Sequence, residues 1–69
     1  MKLLDVVALT EDIPETRLLR GQVGTLVEQL TPEVFEVDFS DINGRTYALI
    51  ALAKTRLMVL HHQPADRAA

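Results

Sequence analysis

The run from Arg20 to Phe39 constrains the fold of this chain more than any other stretch. Gly21 and Gly24 punctuate its first half, and in its second half Phe35, Val37 and Phe39 alternate with Glu36 and Asp38. A period of two does not build a helix face; it places the three apolar residues on one side of a strand and the two carboxylates on the other. Glycine inside a strand marks a bulge, a bend or a close backbone approach. Together the two halves predict the opening of a small curled β-sheet with its carboxylates turned outward.

The rest of the chain reads as further short strands. Leu3 to Leu9 is an almost continuous apolar run interrupted by Asp5, and its valines and the following Asp12-Ile13-Pro14 favour a strand over a helix. Thr10 to Leu19 is long and polar for a connection and reads as an excursion over the surface. Val23, Thr25 and Val27 share one face of the next strand, and Leu26, Glu28 and Leu30 the other, so a bend that changes the buried side is expected. Thr31-Pro32-Glu33 is a turn. Ser40-Asp41-Ile42-Asn43-Gly44 is the strongest hairpin signal, since Asn43 and Gly44 are the residue types that most readily take positive φ. Arg45 to Leu52 returns with apolar residues on both faces, Thr46, Ala48, Ile50 and Leu52 against Tyr47 and Leu49, a pattern that suits a central strand. A tight helical turn over Leu52 to Thr55 then precedes a last strand, Arg56 to His61. The fold class that follows is all-β: a small, strongly bent five-stranded barrel.

At 69 residues the chain has material for one core, and a domain of this size buries only about 60% of its unfolded surface. We expect a single domain over residues 1–62 and a flexible tail over 63–69. With two Phe, one Tyr and no Trp or Cys, the core is expected to be mostly aliphatic, with no disulfide or thiolate metal site to support it. Oligomerisation or docking on a partner is the remaining route to extra stability. The amino-terminal Met1-Lys2-Leu3-Leu4-Asp5 does not read as a signal peptide, and no apolar run approaches the length of a membrane span. The expected location is the cytoplasm. Ten acidic against seven basic residues give a net charge of −3. Scattered cations in an acidic chain argue against nucleic acid and for a protein partner, a basic one in particular.

Little in the chain carries chemistry. Glu36 and Asp38 stand about 7 Å apart along one strand face, a spacing that acid–base catalysis can use in a cleft, but a convex wall makes them a solvated face or a contact surface. His61 and His62 are adjacent, so on a strand they point to opposite faces and cannot share an ion. Asp41 to Gly44 lacks the ligand spacing and terminal Glu of a calcium loop. Gly21 and Gly24 lack the third glycine and the helix of a dinucleotide fingerprint. No nucleophile has a partner at a recognisable spacing. The expectation is a non-enzyme with no catalytic, cofactor or metal residues. Its candidate binding residues are Glu28, Glu36 and Asp38 on the wall, with Arg20, Arg45 and Tyr47 as a second set, because tyrosine and arginine are enriched at interface hot spots. The competing reading of Tyr47 is structural: its ring fills one end of the sheet with the hydroxyl at the rim.

Arg20-Gly21-Gln22-Val23-Gly24-Thr25 resembles the strand-opening element of small SH3-like barrels, including the KOW type. Taken with Leu4 to Asp12, Phe35 to Phe39, Gly44 to Ala48 and Leu57 to Leu60, the chain resembles DUF4926, a bacterial family of single-domain proteins of unknown function, over residues 2 to 61. The resemblance implies an SH3-like barrel and no established activity. It also suggests, by analogy with small proteins encoded beside toxins, an antitoxin or immunity role. Three functional expectations result. The first is a protein-binding module that neutralises a neighbouring, basic toxin. The second is a KOW-like nucleic-acid binder using Arg17, Arg20, Arg45 and Arg56. The third is a structural homo-oligomer.

Overall fold

A computed structural model describes residues 1–61. His62 and the expected tail over 63–69 lie outside the described residues. The described residues form five strands: β1 (Val6–Leu9), β2 (Val23–Thr31), β3 (Val34–Ser40), β4 (Thr46–Ala53) and β5 (Leu57–Val59). They make one antiparallel sheet in the order β4-β3-β2-β1-β5, with the short β5 returning beside β1. The architecture is the expected all-β, barrel-like one; the tight turn expected over Leu52 to Thr55 lies at Lys54–Arg56, and the last strand, expected over Arg56 to His61, is the shorter Leu57–Val59.

The strict alternation of β3 organises the packing. Phe35, Val37 and Phe39 are buried and meet Leu26 of β2, Leu52 of β4, Val7 and Leu9 of β1 and Leu57 of β5, so every strand contributes to one core. Gly24 is what lets β2 close onto β3. A Cβ there would lie 2.7 Å from Val37 Cγ1 and 3.0 Å from both the Asp38 carbonyl and Phe39 Cδ1.

Four local readings need correction. β1 is shorter than Leu3 to Leu9: Leu3 and Leu4 lie in a turn in which the Asp5 N–H donates to the Lys2 carbonyl and Asp5 Oδ2 accepts the Lys2 N–H at 2.9 Å. The segment after β1 is not purely a surface excursion. Ile13 and Leu18 bridge one another across a 3-10 turn at Pro14–Thr16, and both side chains are buried in the core. The stretch carries three aliphatics, of which Ile13 and Leu18 turn inward and Leu19 stays exposed. In the 40–46 hairpin only Gly44 takes positive φ, at 80°. Asp41 supplies the remaining control: its Oδ1 accepts the backbone N–H groups of Asn43 and Arg45 at 2.8 and 3.0 Å. Finally, β4 is an edge strand and not a central one. Its two apolar faces had suggested neighbours on both sides, but its ladder runs to β3 alone.

Candidate functional site

The outer face of the sheet gathers the expected carboxylates, and two bulges decide which residues join them. The ladder between β2 and β3 shifts register between Leu26 and Glu28, with the result that Glu28 stands directly opposite Glu36. Simple alternation had put Glu28 on the side of the buried Leu26; the bulge moves it to the outer face. Like charges opposite one another across a ladder destabilise it. Among the described residues neither glutamate has a cation within salt-bridge distance, because the three ion pairs join Lys2 to Asp5, Lys54 to Glu33 and Arg56 to Glu11.

Asp38 sits on the same face but is differently employed. Its Oδ1 accepts the Ser40 hydroxyl at 3.1 Å and the Thr46 hydroxyl at 2.8 Å, which ties the base of the β3–β4 hairpin. This contact places Thr46 on the outer side, not with Ala48 as alternation from Arg45 had suggested. The reason is the second register shift, between Phe39 and Ser40, which leaves Tyr47 without a rung of its own. Glu28 and Glu36 are therefore the carboxylates left to act outward, and Asp38 is largely a structural acceptor.

Apolar side chains border this acidic row. Leu49 lies opposite Asp38 and Ala51 opposite Glu36. Leu49 is 53% exposed. Further across the same face, Met58 and Val23 flank the small Ala8 from either side and are both exposed. Sequence reasoning missed these residues as part of a surface. The signal was the second apolar face of β4, taken there as evidence of a central strand.

The second expected set joins the 19–22 segment to the start of β4 through one hydrogen bond. Tyr47 is 49% exposed and its ring stands 6.4 Å from that of Phe39, tilted by 42°. Its hydroxyl accepts a hydrogen bond from Gln22 Nε2 at 3.0 Å, while Gln22 Oε1 accepts the Leu19 N–H. The ring thus lies beside the buried Phe39, and its hydroxyl ties the 19–22 segment to β4. The Arg20 backbone N–H donates to Asp12 Oδ1 at 2.8 Å, and the Arg20 side chain is exposed. Arg45 is exposed at the hairpin beyond Thr46, and neither arginine is in a salt bridge among the described residues. Arg56, one of the four cations of the nucleic-acid reading, is paired with Glu11 at 3.6 Å.

The described residues contain no group of three or more His, Cys, Asp or Glu side chains arranged to hold a metal ion, and none of their helices is long and apolar enough to cross a membrane. At Asp5 the Lys2 backbone N–H holds the carboxyl below the usual range, partly opposed by desolvation. It lies in the amino-terminal turn and not on the acidic row.

What this geometry defines is a small antiparallel sheet with a one-sided core and a mixed acidic and apolar outer face. A family model described as "Domain of unknown function (DUF4926)" matches residues 3–59. The chain belongs to that family. No curated protein and no solved structure matched it.

Proposed function

We propose that the protein is a non-catalytic binding module whose outer sheet face docks onto a basic protein. The observation that carries this reading is the Glu28–Glu36 pair: two carboxylates face each other across a ladder with no cation from the described residues beside them, next to the exposed Leu49. A fold tolerates such a like-charge pair at a cost, and a cation supplied from outside turns the cost into affinity and fast association. The apolar residues beside the pair supply area that charge alone does not.

Within this reading the partner is a basic, neighbouring toxin, which an acidic wall neutralises by covering a cationic surface. The test is co-expression with the protein encoded next to this chain. Growth rescue, with a complex that co-elutes at low salt and separates at high salt, supports the reading; a neighbouring protein that stays active and elutes alone counts against it. The homo-oligomer reading keeps one specific observation in its favour, the uncharged exposed edge of β4, and sedimentation velocity decides it.

A further inference from the structure

The phase of the β3–β4 ladder identifies which backbone groups of β4 face away from the sheet. The Lys54 N–H donates to the Glu33 carbonyl at 2.8 Å, one step beyond the Val34–Ala53 pair. Hydrogen-bonded and non-bonded pairs alternate along an antiparallel ladder. Phe35 with Leu52 and Val37 with Ile50 are therefore the bonded pairs, and the N–H and C=O groups of Leu49 and Ala51 point outward in the plane of the sheet. Among the described residues these groups have no backbone partner beyond the ladder.

Natural sheets blunt an exposed edge with short strands, lysine, proline or inward charges. The other edge follows that rule, since β5 has only three residues. β4 does not. It is eight residues long, from Thr46 to Ala53, and contains no charge and no proline. Its side chains at Leu49 and Ala51 project on the outer face, in line with the acidic row: Glu28, Glu36 and Ala51 are consecutive neighbours across β2, β3 and β4.

We propose that β4 is a strand-addition edge and that its occupant is an extended basic segment of a protein partner, with a lysine or arginine opposite Ala51 and an apolar residue opposite Leu49. This rests on the binding-module reading and specifies its docking mode. Residues opposite one another on paired strands share a face, and adjacent strands lie about 4.8 Å apart. A cation placed opposite Ala51 is thus two strand steps from Glu36. The methyl group of Ala51 leaves the path between them open, and the long stem of lysine or arginine spans it. Leu49 offers an apolar contact at the neighbouring outer position, where Asp38 is already occupied by Ser40 and Thr46. A second copy of this chain fits less well. β4 paired with itself about Ile50 sets Leu49 against Ala51 and leaves Glu28 and Glu36 of both copies without a cation.

The probe is a blocked peptide, Thr-Val-Thr-Lys-Thr-Val-Thr, with a glutamate version and a backbone N-methylated version as controls, followed by amide shifts and hydrogen exchange of the protein at low salt. The proposal predicts that the lysine peptide shifts and protects the Leu49 and Ala51 amides, and that both controls bind at least about tenfold more weakly, the glutamate peptide for want of its charge-assisted contact and the N-methylated one for want of backbone hydrogen bonds to β4. Ala51→Pro removes an outward N–H that the fold itself does not use, so the variant should keep the wild-type spectrum elsewhere and lose peptide binding; Glu36→Gln should weaken binding with β4 unaltered. Binding that survives Ala51→Pro and N-methylation but not Glu36→Gln overturns the edge while leaving the acidic face as the contact surface. No binding, or β4 protection that rises with protein concentration in the absence of peptide, overturns the proposal outright.

Discussion

At the scale of single residues, Gly24 and Asp5 give two separable tests of the packing. Any side chain at Gly24 must displace Val37 and Phe39 and press on the Asp38 carbonyl. Gly24→Ala is therefore expected to destabilise the fold by about 1–3 kcal/mol, as overpacking does, despite the usual preference for alanine over glycine within a strand; urea unfolding measures it. Asp5 tests the amino-terminal turn. Its carboxyl is held below the usual range by the Lys2 N–H, so the charged form is favoured by folding. A depressed folded-state pKa contributes stability that is present above the unfolded value and lost as pH falls through the folded one. Wild type should accordingly exceed Asp5→Asn in thermal midpoint at neutral pH, and the two should converge in acid below the ordinary aspartate range. Leu4, 76% exposed with φ of 70°, belongs to the same turn. Nothing in a run of leucines and valines announces a left-handed residue, which is why β1 starts later than its hydrophobicity suggests.

At the scale of elements, the two bulges account for both the site and the limits of reading it from sequence. The alternation of Phe35, Val37 and Phe39 is visible in the chain, and with it the core face of β3. The face of Glu28 is not, because one extra residue in β2 reverses the positions that follow it, up to a further register shift between Gln29 and Thr31. The same holds for Thr46 and Tyr47 at the start of β4. A strand with two apolar faces is ambiguous for a different reason: burial by a neighbouring element and exposure at an uncovered edge leave the same pattern in the sequence. The cross-strand pair that the first bulge creates has a measurable consequence. Glu28→Lys replaces a like-charge pair with an opposite one and should stabilise the isolated protein by about 0.2–1 kcal/mol at low salt, a gain that fades as salt is added. The same substitution should weaken binding of a basic partner, so stability and binding move in opposite directions. Parallel losses in both would mean that Glu28 supports the fold and not the interface.

The whole molecule is a sheet curled around one core, with a Cα radius of gyration of 12.5 Å and the longest dimension 42 Å. Five short strands, a late tight turn and a single core were legible from hairpin signals, glycines and length. The plugging of the core by Ile13 and Leu18 was not, since a long polar connection gives no sign of which of its aliphatics turn inward. Loss of that plug is expected to be costly: Ile13→Ala should lower stability by about 2–5 kcal/mol through the cavity it leaves, enough to unfold much of so small a domain, as circular dichroism would register. The function proposed above rests, at this scale, on the outer face acting as a contact surface for a basic protein. The most direct test is affinity capture from the source cells with wild type and the Glu28→Gln, Glu36→Gln double variant, both shown to be folded, with quantification of what each retains. Wild type should hold a basic protein in near-stoichiometric amount that the double variant releases; equal recovery by the two, or no retained protein with either, would contradict the account.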